Sequence, residues 1–313
     1  MASHLKVFAG SSHPELAKAI CSKLKIKLSE LLVSKFACGE IYAKPVETVR
    51  GDDVFIVQTG TGNVNEDLIE LFIVLDSMKR SFARSVHVVV PYYPYARQDR
   101  VASPREPISA KLVAKLIEAA GADHVITVQI HSEQQQGFFS FPIDHLNARK
   151  LFAECLGKKK LKNPVIVAPD AGAAKDADRL ARLLGTTIAV MSKVRPNFNQ
   201  AEITSLVGDV KGRDCVIFDD MIDTAGSVCA AFKTLKAHGA KDVYVAATHA
   251  VFSGPAVERM NKTGFKSVIV TDTIPVNKKI KNLEILSVAP MLAGVIKNVH
   301  EGKSVTQVIG GRP

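Results

Sequence analysis

The chain has 313 residues, enough for two domains of ordinary size or one large one. With 47% hydrophobic and 23% charged residues it has the composition of a globular chain with a substantial core, which excludes disorder, collagen and coiled coil. Lys and Arg number 41 against 31 Asp and Glu, a net charge of +10, so the expected partner is anionic: nucleic acid, a membrane surface or small phosphate esters.

The opening MASHLKVFAG has no charged stretch followed by a long apolar one, so no secretory signal is expected, and no apolar run approaches the length of a bilayer span. Ser12, with Glu15 three residues on and Pro14 between them, predicts a capping box at a helix start. Short apolar runs then recur at Val54–Val57, Val86–Val90, Val125–Val128, Val165–Ala168, Val216–Phe218, Val243–Ala247 and Val268–Val270. They are rich in β-branched residues and apolar at most positions, the pattern of strands buried on both faces of a parallel sheet. Amphipathic stretches separate them. One opens at Ser109, carries Leu112, Val113, Leu116 and Ile117 on one face, and closes at Gly121. The predicted fold class is α/β with crossover helices. Cys21, Cys38, Cys155, Cys215 and Cys229 are scattered and form no CxxC pair. That argues against zinc and a disulfide framework and for a reducing cytosol.

The two halves echo each other. Asp53-Val-Phe-Ile-Val and Asp214-Cys-Val-Ile-Phe each lead through glycine into a helix. The strands at His87 and Tyr244 follow, then those at His124 and Ser267. Three echoes in register predict two related domains, 1–146 and 147–313, with the boundary near Ile143–Arg149. Lys158–Lys160 with Lys162 reads as a solvated helix end. With no nucleic-acid module and no sustained basic and aromatic stripe, neither a nucleic-acid nor a membrane partner is expected.

The most informative segment is 216–227, VIFDDMIDTAGS. An apolar strand runs into Asp219 and Asp220, then into the turn Asp223-Thr224-Ala225-Gly226-Ser227 and a helix. Successive backbone N–H groups at a helix start bind phosphate, and the hydroxyls of Thr224 and Ser227 add donors. The two carboxylates accept hydrogen bonds from vicinal sugar hydroxyls, so the segment reads as a sugar-phosphate site. The alternative is a plain strand-to-helix turn with a capping Asp.

This loop resembles the phosphoribosyl-binding loop shared by phosphoribosyltransferases and ribose-phosphate pyrophosphokinases. Residues 91–111 (PYYPYARQDRVASPREPISAK), 6–12 (KVFAGSS), 164–175 (PVIVAPDAGAAK) and 249–256 (HAVFSGPA) resemble the pyrophosphokinase family, and the likeness covers essentially the whole chain. It implies two phosphoribosyltransferase-like domains, each a mostly parallel sheet flanked by helices. It also implies the reaction of ATP with ribose 5-phosphate to give phosphoribosyl pyrophosphate (PRPP) and AMP. By that resemblance Asp219 and Asp220 hold the ribose, and Asp223, Thr224, Ala225, Gly226 and Ser227 hold its 5-phosphate. Asp170, Ala171, Gly172, Ala173, Ala174 and Lys175 cradle the moving diphosphate, with Asp170 near Mg²⁺. Lys193 and Arg195, in an expected mobile lid at Met191–Asn199, stabilise charge on the transferred group. Arg97, Gln98 and the segment carrying Phe36, Cys38 and Glu40 bind ATP. His131 lies near metal and ATP phosphates. The resemblance implies a homo-oligomer, a hexamer, in the cytoplasm.

Several positions depart from the family pattern. Ala173 replaces a usual glycine, Ala102 a usual acid, and Gln129 an acid two residues before the site histidine. Cys38 stands where Asn or Asp commonly reads the adenine amino group. Glu133 lies in the region where many members bind regulatory phosphate, while Thr48 and Arg50 keep part of that site, so altered phosphate and ADP regulation is expected. Two readings stand at this point, an active diphosphokinase and a non-catalytic subunit associated with one. A phosphoribosyltransferase is a third, and the two-domain layout offers it no acceptor site.

Overall fold

All seven apolar runs identified in the sequence become strands in the computed structural model, which describes residues 4–194, 203–306 and 308. The described residues of Met1–Asn147, Thr273–Pro275 and Ser287–Arg312 form one compact unit, and those of Ala148–Asp272 and Val276–Leu286 form another.

In the first unit the chain runs β1 (Leu5–Ala9), α1 (Pro14–Leu24), β2 (Leu31–Lys35), β3 (Ile41–Pro45), β4 (Asp53–Val57), α2 (Val64–Arg80), β5 (Ser85–Val90), α3 (Ser109–Ala119), β6 (His124–Val128) and β7 (Ile143–Leu146). The sheet has the order β1-β4-β5-β6-β7 and is parallel throughout. Strands β2 and β3 form a separate antiparallel hairpin, with β3 packed against α2. All five residues of β4 are buried, and so are all five of β6. This is why these strands read as unbroken apolar runs rather than as alternation.

The second unit contains α4 (Arg149–Lys158), β8 (Val165–Ala168), α5 (Ala174–Leu184), β9 (Thr187–Val194), β10 (Ile203–Val207), β11 (Cys215–Met221), α6 (Gly226–Ala237), β12 (Val243–His249), α7 (Ala256–Thr263), β13 (Val268–Thr271) and β14 (Leu283–Leu286). Its sheet order is β10-β9-β8-β11-β12-β13-β14, parallel except for the β9–β10 pair. Alternate residues build two cores. Val165, Val167, Ile217, Val245 and Val268 face a cluster with Val228, Leu235 and Met260. Ile166, Val216, Phe218, Ala246 and Ile269 face Phe152, Leu156 and Leu180. Helices thus cover both faces of the sheet, each strand contributing odd and even positions to opposite sides.

The echoed segments occupy equivalent places: β4-β5-β6-β7 and β11-β12-β13-β14 run in the same order and direction. The last helix, α8 (Ala289–His300), does not follow the single cut expected near residue 146; it belongs to the first unit, where it packs on α1. The physical reason is burial: Leu292, Val295 and Ile296 of α8 are buried in the first unit, where the helix packs on α1.

Two local expectations are corrected. Helix α1 is capped by His13, whose ring nitrogen accepts from Leu16 N at 3.3 Å, while Ser12 Oγ instead donates to Gln58 at 2.7 Å and accepts from Thr59 N. In α3 the buried stripe is Ala110, Val113, Ala114 and Ile117, and Leu112 and Leu116 are exposed. The smaller residues face the sheet, rotating the buried stripe away from the leucines.

A buried polar chain crosses the start of the first sheet. Asp53 accepts from Ser85 Oγ at 2.6 Å, from Arg84 Nε at 2.7 Å and from the Arg84 fork, and it pairs with His300 Nδ1 of α8 at 2.8 Å. Burial alone would raise the Asp53 carboxyl, but Arg84, Ser85 and His300 hold it well below the carboxylate range. Ser85 Oγ also contacts His87 Nε2 at 2.9 Å, and His87 Nδ1 meets His124 Nδ1 at 3.1 Å. Burial, with His124 beside it, pushes His87 down to about 4. The unfolded histidine takes up a proton near its ordinary 6.5, which folded His87 refuses until the pH is about 4. Stability from this site is therefore present above that window and is lost as pH falls through it. Substituting His87→Gln should reduce the loss of unfolding free energy between pH 6.5 and pH 4.5, by ~3 kcal/mol at most. Urea unfolding of parent and variant at the two pH values checks it.

Candidate functional site

In parallel α/β sheets the loops after the carboxyl ends of the strands carry the polar chemistry. Two such loops leave neighbouring strands in the second unit. Strand β11 ends Asp219-Asp220-Met221, and β8, its hydrogen-bonded neighbour, ends just before Pro169-Asp170. Asp219 Oδ1 accepts from Asp220 N at 2.9 Å. Burial, reinforced by the charges of Asp220 and Asp170, holds the Asp219 carboxyl well above the ordinary carboxylate range. Three like charges therefore bear on one small volume, which suits hydroxyl donors or a cation.

The segment after β11 turns into α6 through Ala225, a left-handed residue with φ 60° and a buried methyl group. That conformation costs a side-chain-bearing residue about 1–2 kcal/mol. It is tied down from outside the motif. Phe252 N donates to Ile222 O at 2.9 Å and Ser253 N to Asp223 O at 3.1 Å. Ser253 Oγ donates to Asp223 Oδ1, and Arg259 Nη1 of α7 donates to Thr224 O at 3.1 Å. Thr224, Gly226 and Ser227 are exposed at the start of α6, whose first N–H groups have no partners within the helix. The geometry offers backbone donors to an anion with carboxylates beside them.

The second loop is Asp170–Lys175. Asp170 Oδ1 accepts from Ala173 N at 3.1 Å, folding the side chain over its own turn. A Cβ at Gly172 would lie 3.1 Å from that oxygen, so glycine keeps the carboxylate in place. Ala171 is exposed, Ala173 caps α5, and Ala174 and Lys175 begin it. Lys193 lies in β9, opposite Thr204 of β10. The expected lid at Met191–Asn199 is thus strand as far as Val194, and Arg195 lies outside the described residues.

In the first unit, Phe36, Cys38 and Glu40 are all exposed at the tip of the β2–β3 hairpin. Phe36 N donates to Glu40 O at 2.9 Å, Gly39 N to Phe36 O at 2.8 Å, and Gly39 has φ 94°. Arg97 and Gln98 are exposed on the loop after β5. Gln98 Oε1 accepts from Ser109 Oγ at 2.6 Å, so part of its amide braces the start of α3. Gln135 Nε2 donates to Ala96 O at 2.7 Å from the buried side of this loop. After β6, Gln129 is buried with φ 46°, and exposed His131 follows two residues later. Among the described residues no three His, Cys, Asp or Glu side chains are grouped to hold a metal by themselves.

Sequence reasoning found both loops and missed Ser253 and Arg259, which brace the first of them, and Gln135, which braces the loop after β5. HAVFSGPA stood out in the sequence, but nothing in it said that Ser253 would reach Asp223, a contact made only by folding.

Residues 5–121 match the N-terminal domain of ribose phosphate pyrophosphokinase, and residues 192–310 match the phosphoribosyl synthetase-associated domain. Ribose-phosphate pyrophosphokinase from Bacillus caldolyticus is 46% identical over 96% of each chain. That from Bacillus subtilis is 45% identical over 97% of this chain and 96% of the relative. The crystal structure of phosphoribosylpyrophosphate synthetase from Mycobacterium smegmatis has 41% identity, covers 96% of this chain and 100% of its own, and superposes with a TM-score of 0.91.

A carboxyl held high in the folded state destabilises it at neutral pH, because the unfolded chain ionises the group freely. Asp219→Asn should therefore raise the melting temperature at pH 7.5, and the gain should shrink as pH falls to 4. Calorimetry of both proteins across that range checks the sign.

Proposed function

The chain belongs to the ribose-phosphate pyrophosphokinase family, and from that premise we infer that it transfers the diphosphoryl group of ATP to the anomeric hydroxyl of ribose 5-phosphate, giving PRPP and AMP. The observation that carries this reading is the Asp219–Ser227 loop beside the Asp170–Lys175 loop, in a chain matched along nearly its whole length by enzymes of that name. Those full-length matches favour catalysis over a non-catalytic associated subunit.

In this reading Asp219 and Asp220 accept hydrogen bonds from the ribose hydroxyls, and residues 223–227 present N–H groups and hydroxyls to the 5-phosphate. The anomeric oxygen attacks the β-phosphorus of ATP. The new C1–O–P link forms as the bond from the β-phosphorus to the α-bridging oxygen breaks, AMP leaves with that electron pair, and the hydroxyl proton is released. Such transfers depend on positioning and charge neutralisation. The Asp170–Lys175 turn cradles the diphosphate, and Lys193 and Arg195 supply positive charge as it builds. Arg97, Gln98 and His131 hold ATP, with the Phe36–Glu40 tip supplied within a homo-oligomer. The enzyme works in the cytoplasm.

Asp170, Asp219 and Asp220 are hard oxygen donors whose mutual repulsion a divalent cation relieves, so the residues fit Mg²⁺. Mg²⁺ takes one or two carboxylates and completes its shell with water and substrate phosphates, which agrees with the lack of an all-protein cage. Asp170 would hold it in the second unit and His131 would lie near metal-bound ATP in the first. When bound, the ion neutralises phosphate charge.

Lys193→Ala should lower turnover by about 10²–10³-fold or more with ATP and ribose 5-phosphate; near-normal turnover would end its proposed role. Arg259→Gln should raise KM for ribose 5-phosphate about tenfold and leave KM for ATP unchanged, because it loosens the phosphate loop through a charge-assisted hydrogen bond. Steady-state kinetics with each substrate varied separates the two.

A further inference from the structure

The proposed chemistry uses the carboxyl ends of the second unit's strands, and the opposite edge carries a different feature. The residues leading into β8, β11, β12, β13 and β14 form one continuous edge. Lys162 N donates to Asp214 Oδ2 at 2.8 Å, Lys241 N to Arg213 O at 2.8 Å, Lys266 N to Val243 O at 2.9 Å and Val268 N to Asn282 O at 2.9 Å. Asn261 ties in the last loop, donating to Lys279 O at 3.0 Å and accepting from Lys281 N at 2.8 Å.

Six lysines, Lys162, Lys211, Lys241, Lys278, Lys279 and Lys281, are exposed along this edge, and among the described residues none of their ammonium groups makes an ion pair. Two neighbouring lysines are already paired, Lys159 with Glu284 at the edge and Lys266 with Asp242 at 3.7 Å, while the Asp214 carboxylate of the same edge is turned inward and buried. A lysine in the last turn of a helix is explained by the helix dipole, as Lys236 is in α6. Lys211, Lys278, Lys279 and Lys281 follow no helix end. Asp209, beside Lys211, is the nearest acid in sequence, and its Oδ1 is engaged by Lys211 N at 3.2 Å.

We propose that this edge is a docking surface for the phosphate backbone of a nucleic-acid duplex, bound without reading sequence. Five parallel strands at their usual spacing make a row of about 19 Å, a line that follows a polymer better than a plane. Protein interfaces are depleted in lysine and anchored by aromatic and Arg side chains. No Phe or Tyr side chain among the described residues of this unit is exposed. Single-strand platforms stack bases on such rings, so their lack favours a duplex, whose bases are already stacked and whose outward face is phosphate. This departs from the expectation of no nucleic-acid partner. Lys162, Lys211, Lys241 and the run Lys278–Lys281 come from four separate segments of the chain, which meet because parallel strands start along one edge.

The test uses the full-length protein and a fluorescent 20-base-pair duplex, read by anisotropy from 50 to 200 mM salt with saturating ATP present. Expected are binding that ATP does not displace and a slope of log affinity against log salt of about −4 to −5, as for four to six phosphates. The triple substitution Lys278→Glu, Lys279→Glu, Lys281→Glu should weaken binding at least tenfold with PRPP formation and melting temperature unchanged. The corresponding Lys→Arg triple should keep binding. No binding at 50 mM salt, displacement by ATP, indifference to the Glu triple, or capture by phosphatidylserine vesicles but not by the duplex would each overturn the proposal.

Discussion

A parallel strand buried on both faces can carry polar groups only near its ends. That constraint shapes this protein. Strands β4, β8, β11 and β12 are buried along most or all of their length. Their chemistry is therefore driven to the two sheet edges. At one edge of the second unit lie Asp219, Asp220 and the Asp170 turn. At the other lie the lysines that make up part of the charge of +10. In the first unit the same rule places Asp53, Ser85, His87 and His124 at the starts of three neighbouring strands, where they bond to one another and to His300 of α8.

The proposed sugar-phosphate loop is held at some cost to stability. Asp219 sits among like charges with its carboxyl held high, and Ala225 occupies a left-handed conformation. Ser253, Phe252 and Arg259, from the segment after β12 and from α7, supply the restraint. Strain and electrostatic repulsion gathered at a loop braced from behind are what a preorganised ligand site requires. Hydroxyl donors or a cation would relieve the repulsion.

Much of this was legible in the sequence because it is local. The apolar runs mark the strands, since burial on both faces forbids polar residues there. Asp219–Ser227 was readable because strand, acids, turn and helix are contiguous. What escaped was non-local. Helix α8 completes the first unit by packing on α1, and no periodicity within residues 289–300 states its partner. His13 displaced Ser12 as the cap because Ser12 is engaged by Gln58 and Thr59. Leu112 and Leu116 fit a helical stripe, but Ala110 and Ala114 allow closer packing and took the buried face. The sequence showed Lys158–Lys162 as a solvated run, and only the strand order joins Lys162 to Lys211, Lys241 and Lys281.

The central claim is that a duplicated α/β chain transfers a diphosphoryl group to a pentose phosphate held by an acid-flanked loop. Following the phosphorus directly tests it most sharply. Purified protein alone, given ATP, ribose 5-phosphate and Mg²⁺, should convert them by phosphorus NMR to equal amounts of AMP and a sugar bearing a diphosphate at C1, with no ADP. Appearance of ADP, or no turnover without a second protein, would contradict the account.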